Sequence, residues 1–429
     1  MKKIGVVLFT SDLRLHDNTT LVEAIKENDE VIPLFCWDEA YMKSEQLGFN
    51  RMGKIRRGFL HKVLEDLHVN LKSIGGYLLV KKGNQADVIQ ELLSRYAIFK
   101  VYTKKQVGIE EKRENERLKS LLLTKGVDFE EYSTSTMYHP SDLPFSMSSI
   151  PEVFTKFRKI VEKEASVRQP LSAPKVIACP IISNDLQELT SLKETIKLDK
   201  RNSLPKMGGE SAALAHLNYY LFEEQHILHY KETRNQLLGI QFSSKLSQWL
   251  ALGCLSPKFI YHEVKHFEHE VQANDSTYWL IFELLWRDFF RFSFKKHPLS
   301  YYQLHGILGE SDRKPTRNKQ AIDSWINGET QNDFVNAAMK ELKVTGWTSN
   351  RMRQIAASYF IYDLEQDWRV GAAYFESQLI DYDVSSNWGN WAYIAGVGND
   401  PRAGRKFNTE KQEEQYDKEK RFQKIWNII

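Results

Sequence analysis

Residues 381–391 read Asp381-Tyr-Asp-Val-Ser-Ser-Asn-Trp-Gly-Asn-Trp391. Two carboxylates one residue apart, an amide and two indoles share this short run. Asp381 and Asp383 can accept hydrogen bonds from imide or hydroxyl donors, and Asn387 can both donate and accept. Gly389 permits a tight turn or a close approach to a ligand. Trp391 sets a large, polarisable ring beside them. Taken singly, each has an ordinary explanation as a loop acid, a cap or a core aromatic. As a cluster they need matching parts, and the rest of the chain supplies them.

Upstream of this run, from Gly208 onward, the spacing of apolar residues predicts helices and no strand. The strongest helix spans 278–294, where Phe282, Leu285, Trp286 and Phe289 fall at i, i+3, i+4 and i+7. Glu283 lies beside Trp286 on that helix, and Arg287 follows Glu283 by four residues. A carboxylate on an apolar face is costly unless it has a partner. The ordinary reading is a Glu283–Arg287 surface pair; the alternative aims Glu283 into a ligand cavity.

The first part of the chain is different. Runs at 4–9, 30–37, 77–80 and 98–102 are β-rich and alternate with helical stretches, which predicts a parallel sheet covered on both faces. The first strand does not open a G-x-G-x-x-G dinucleotide loop. It runs into Thr10-Ser-Asp-Leu-Arg-Leu-His-Asp-Asn18 instead. Residues 133–206 are richer in Ser, Thr and Pro, with one helix expected near 151–164, and read as a connector. The expected organisation is therefore an α/β domain over 1–132, a connector over 133–206 and an all-α domain over 207–429.

A chain of 429 residues is long for one core. Its 59 basic and 56 acidic residues leave a net charge of only +3, so any nucleic-acid site must be a local patch. Three scattered cysteines, Cys36, Cys179 and Cys254, point to a reducing, cytoplasmic compartment. The opening apolar run is too short for a signal sequence or a membrane span.

Several further runs carry a resemblance. They are Asp12-Leu-Arg-Leu-His-Asp-Asn18, Gly208-Gly-Glu210, Tyr230-Lys-Glu-Thr-Arg-Asn235, Ser243-Ser-Lys-Leu-Ser247 and Trp249-Leu-Ala-Leu-Gly-Cys-Leu-Ser-Pro257. Phe282-Glu-Leu-Leu-Trp-Arg-Asp288, Gly346-Trp-Thr-Ser-Asn-Arg351 and Gly396-Val-Gly-Asn-Asp-Pro-Arg402 complete the set. In this order the chain resembles the photolyase/cryptochrome family over nearly its full length, and most closely its cryptochrome DASH branch.

The resemblance implies a photolyase-type α/β domain followed by a helical domain that holds FAD. It implies flavin contacts from Tyr230, Ser243, Ser244, Lys245, Leu246, Ser247, Arg287, Arg353, Asp381, Asp383 and Asn387. Arg353 is expected to pair with Asp381, and Asn387 to face the reactive nitrogen of the flavin ring. Glu283 is expected to bond a flipped-out pyrimidine dimer and Trp286 to stack on it, with Tyr393 as the opposite wall. Asn350, Arg351 and Gln354 are implied DNA contacts. The implied partner is single-stranded DNA carrying such dimers, and the implied activity is light-driven carbon–carbon lysis by electron transfer from reduced FAD. A folate such as methenyltetrahydrofolate, near Glu152, is the implied antenna. A monomer is expected. The alternative is a blue-light receptor or nucleic-acid-binding regulator that binds FAD and repairs nothing.

Three tryptophans relay electrons to the flavin in the family. Trp391 matches the inner one and Trp368 the middle one, but Pro315 stands at the outer position. Trp347, Tyr359 or Tyr362 are candidate substitutes. His262-Glu-Val-Lys-His266 fits a zinc-peptidase pattern, but its charged neighbours predict a solvated helix face, and no metal is expected.

Overall fold

The computed structural model describes residues 2–428 apart from 183–185, 193–195, 197–198, 310–313, 401 and 403. Pro401 of the run quoted above therefore lies outside the described residues. In the first part, strands β1 (Ile4–Phe9), β2 (Glu30–Trp37), β3 (Leu79–Lys82), β4 (Ile98–Lys104) and β5 (Asp128–Tyr132) form one sheet in the order β3-β2-β1-β4-β5. Every pairing is parallel, with Val6 opposite both Ile32 and Val101. Helices α1 (Thr19–Glu27), α2 (Lys54–Ser73), α3 (Gln85–Arg95) and α4 (Ile109–Thr124) make the connections that parallel strands require. β1 is buried from Val6 to Phe9, as befits a central strand covered on both faces. The third strand lies two residues beyond its expected place. The fifth was not anticipated: Asp-Phe-Glu-Glu-Tyr is an edge strand rich in charge, of the kind that blunts a sheet margin.

The run that replaces the glycine loop docks the two halves together. Arg14 is buried and donates to the carbonyls of His16 at 3.0 Å, Gly253 at 2.8 Å, Asp17 at 2.9 Å and Thr134 at 3.0 Å. Glu210 accepts from the amides of Leu15 at 2.7 Å and His16 at 2.9 Å. Gly253 has φ +68°, and a Cβ there would stand 2.1 Å from the Ser11 carbonyl oxygen, so only glycine fits. In doubly wound sheets ligands bind where the strand order reverses. Here that place, between the ends of β1 and β4, is filled by the buried Lys104, whose Nζ donates to the Ser11 carbonyl at 3.0 Å. Burial, against the pull of Asp12, lowers that amine to about 7.

In the connector region, helix α5 (Phe154–Glu164) buries Phe154, Phe157 and Val161. Beyond it the chain is helical, including α6 (Ser247–Leu252), α7 (Asp275–Lys296), α8 (Asn350–Ser358), α9 (Trp368–Gln378) and α10 (Val384–Ala395). α7 starts three residues earlier than its periodicity suggests because Asn274 caps it, accepting from the Ser276 and Thr277 amides. Lys295 and Lys296 in its last turn suit the negative end of the helix. Among the described residues no helix is long and apolar enough to cross a membrane, and all three cysteines are free.

Candidate functional site

α6, α7, α8 and α10 surround a cavity of about 560 Å³, within the usual size range for small-molecule sites. Its wall includes Tyr230, the whole run Ser243–Ser247, Glu283, Trp286, Arg287, Asn350, Arg351, Arg353, Gln354, Asp381, Asp383 and Tyr393. A smaller recess of about 90 Å³ shares Arg353, Asp381, Asp383 and Asn390 with it and adds Asn387 and Trp391. Of the residues singled out from sequence, Trp368, Tyr359, Tyr362 and Glu152 line neither space.

Asp383 is the N-cap of α10. Its Oδ1 accepts from the Ser386 amide at 2.9 Å and the Ser385 hydroxyl at 2.7 Å. Its Oδ2 receives Arg291 Nη1, with Arg287 Nη2 at 3.8 Å. Burial opposes ionisation, but Arg291 and Arg287 outweigh it and hold this carboxyl well below the usual range. Asp381, on the turn before, accepts from Arg353 Nη2 at 2.8 Å and Ser247 Oγ at 2.7 Å through its Oδ2. Its buried Oδ1 has no hydrogen-bond partner among the described residues.

Lys245 adopts the left-handed backbone, φ +51°, rare for a side chain of its size and a form of strain that concentrates at functional sites. Its Nζ is buried 3.5 Å from the Phe242 ring centre and 3.8 Å from that of Trp347, without a hydrogen-bond acceptor among the described residues. Desolvation drives this amine well below its ordinary range, while Glu341 pulls the other way.

Several expectations change. Glu283 does not pair with Arg287: it accepts from Arg234 Nη1 at 2.6 Å, while Arg287 turns to the carbonyls of Ser135 and Leu250. Burial raises the Glu283 carboxyl, and Arg234 only partly offsets it. Gly389 makes neither a turn nor a ligand approach. It sits inside α10, where a Cβ would stand 2.4 Å from the Phe290 ring of α7.

Trp286 and Tyr393 are not facing walls. Their ring centres are 5.8 Å apart at 81°, which makes a corner. Phe154 of α5 is stacked on Trp286 at 3.7 Å and 13°, so one indole face is already covered. Asn387 donates its amide to the Ala372 carbonyl at 3.0 Å, which orients the side chain. In the zinc-like run, His262 Nε2 lies 3.0 Å from the Arg168 carbonyl, and among the described residues no three metal-binding side chains converge.

Sequence reading missed Arg234, Arg405, Phe290 and Phe407 on the cavity wall. Arg234 lay within a quoted run, and its distance from Glu283 in sequence hid the pairing. Arg405 bonds the Tyr393 hydroxyl and the Asp400 carboxylate. Nothing local in the sequence marks it.

Comparison with known proteins agrees with both halves. The family described as DNA photolyase matches residues 5–175, and the FAD binding domain of DNA photolyase matches residues 279–427. Cryptochrome DASH of Danio rerio is 42% identical over 428 residues, covering 98% of this chain and 82% of the relative. Cryptochrome DASH of Natronomonas pharaonis is 42% identical over 425 residues, covering 98% and 89%. Among solved structures, a cryptochrome from Synechocystis sp. PCC6803 superposes with a TM-score of 0.93 at 40% identity, over 99% of this chain and 88% of the other. A bacterial class III photolyase from Agrobacterium tumefaciens superposes with a TM-score of 0.85 at 25% identity, over 99% and 86%. A parallel-sheet half docked on a helical half, with the cavity in the latter, thus has close relatives along its whole length, and the chain belongs to the photolyase/cryptochrome family with that family's FAD-binding domain.

Proposed function

We propose that this protein repairs cyclobutane pyrimidine dimers, preferentially in single-stranded DNA, by light-driven electron transfer from FAD held in the larger cavity. The observation that carries the reading is the placement of Glu283 and Trp286 on the wall of the same cavity as the Asp381–Arg353 pair. Three buried polar atoms on that wall, Lys245 Nζ, Arg351 Nε and Asp381 Oδ1, lack partners among the described residues. A ligand with phosphate acceptors and an imide N–H answers the ammonium and the carboxylate, so the residues fit FAD. When bound and reduced, FAD supplies one electron on illumination and takes it back once the dimer's cyclobutane ring has opened.

The side chains have the remaining tasks. Asp381, fixed by Arg353 and Ser247, would offer its free oxygen to the imide N–H of a bound flavin. Asp383 keeps Arg287 and Arg291 in place behind it. Glu283 is poised to bond the edge of a flipped base, and Trp286 offers its free face for stacking. Arg234, Arg351 and Arg405 line the same cavity and suit a nearby phosphate backbone. Tyr393 is a smaller platform than an indole, and its hydroxyl is already engaged by Arg405. Such a platform suits bases that are already unpaired, where no duplex need be opened.

The folate has less to hold it. Glu152 already bonds Lys296, His297 at 3.0 Å and Asn399. The domain limits proposed are 1–132, 133–206 and 207–429.

The test is a light-dependent repair assay on the FAD-loaded protein with single-stranded and duplex dimer substrates. Faster repair of the single strand is expected; no repair of either would leave the light-receptor alternative. Asp381→Ala is expected to weaken flavin binding by about 1.5–3 kcal/mol, roughly ten- to a hundredfold, because a charged acceptor is lost. Flavin content after gel filtration reads this directly, and unchanged content would contradict the placement of Asp381.

A further inference from the structure

We propose that Trp388 and Tyr302 form the outward end of the electron path to the flavin, replacing the exit that Pro315 interrupts. The inference rests on the reading that the cavity holds FAD. Trp391 lines the inner recess beside Asn387 and Asp383. Trp388 lies three residues earlier on α10, one turn away and on the same side of the helix. Its ring centre is 6.0 Å from that of Trp368 and 4.8 Å from that of Tyr302. Trp368 and Trp388 are almost wholly buried; Tyr302 is the first ring of the series to reach solvent.

Two of the three residues named as substitutes from sequence, Trp347 and Tyr362, are placed less well. Trp347 packs on Phe242 and Lys245, and Tyr362 donates its hydroxyl to the Ile394 carbonyl at 2.9 Å. Trp325 is the serious competitor, with its ring 6.1 Å from Trp391. It leads to Phe360, Tyr374 and Phe375, all of them buried, and from Tyr374 to the half-buried Phe49 5.3 Å further on, whose phenyl ring is much harder to oxidise than an indole or a phenol.

The hydrogen bonds separate the two routes further. An indole that has lost an electron becomes acidic at its N–H. Trp325 Nε1 donates to the Ala356 carbonyl at 3.2 Å, which cannot keep a proton. Trp388 Nε1 donates to Glu376 Oε2 at 3.0 Å, and that carboxylate is itself buried beside Arg51 at 3.2 Å. A carboxylate there stabilises positive charge on Trp388 as the electron passes.

Upon illumination of the oxidised protein, Trp391 gives one electron to the flavin. Trp388 refills Trp391, directly or through Trp368, and Tyr302 refills Trp388. Tyr302 releases its phenolic proton to solvent as it is oxidised. An external thiol returns one electron and one proton to Tyr302, and two of the resulting thiyl radicals couple as a disulfide.

The experiment uses the full chain loaded with oxidised FAD and illuminated with dithiothreitol as the thiol. Flavin reduction is followed by absorbance, and samples frozen under light without thiol are examined by electron paramagnetic resonance. A tyrosyl radical is expected in the parent and is expected to be lost in Tyr302→Phe, with flavin content kept and thiol-driven reduction slowed. Trp388→Phe should lose the same signal, and Trp325→Phe should keep it. If Trp388→Phe loads FAD poorly, Tyr302→Phe decides alone. Parent-like radical and reduction in Tyr302→Phe, or their loss in Trp325→Phe, would overturn the proposal. A parent protein unable to take up flavin would instead overturn the cofactor reading beneath it.

Discussion

Asp383→Ala is expected to destabilise the helical half by about 3–5 kcal/mol, the usual cost of removing one partner from a buried ion pair. The loss has two sources. Arg291, itself buried, would keep its charge without a counter-ion, and Arg287 would lose the same carboxylate. α10 would also lose its cap, since the Ser385 and Ser386 bonds to Asp383 disappear. Asp383→Asn, which keeps part of the cap and loses the charge, should fall between the two. The midpoint of urea unfolding measures both variants, and a midpoint equal to the parent's would show that the pair carries no net stability. The sign with pH is also defined. Because the folded carboxyl titrates below its unfolded value of about 3.9, its contribution is present above that pH. It is lost as the pH falls toward the folded value.

Glu283→Ala is expected to abolish most dimer repair while flavin content stays at the parent level. Removing a charged hydrogen-bonding group that acts on the substrate costs about 1.5–3 kcal/mol, roughly ten- to a hundredfold in kcat/KM. The freed Arg234 adds to the loss, because its guanidinium is then left at the cavity wall without its 2.6 Å partner. Glu283→Gln keeps an acceptor for the base edge and should retain part of the activity. Full repair by Glu283→Ala would remove this carboxylate from the mechanism and strengthen the light-receptor alternative.

Legibility from sequence followed the range of the forces involved. The spans 4–9 and 30–37 were read as they stand because their apolar runs have no competing period. Strand β5 was missed because an edge strand with Asp128, Glu130 and Glu131 carries no such run; its partner Lys100 contacts Glu130 across the sheet. The long helix was recognised by its apolar face, but its start was set by Asn274, whose capping role depends on local backbone geometry. Tyr393 was noticed as a wall of the site. Its edge-on meeting with Trp286 and its hydrogen bond from Arg405 are tertiary contacts, with partners on other parts of the chain.

By itself the sequence determined the two architectures, the helix that bears Glu283 and Trp286, and the acidic, amide and indole cluster at 381–391. Each of these rests on residue type and short-range spacing, which a chain carries whatever its surroundings. Only the tertiary structure decided the partners: Arg234 for Glu283 across 49 residues, Arg291 for Asp383 across 92, and Arg14 with the carbonyls that join the halves. A buried charge takes whichever counter-group packing brings within reach. That choice is made in space, and spacing along the chain does not encode it.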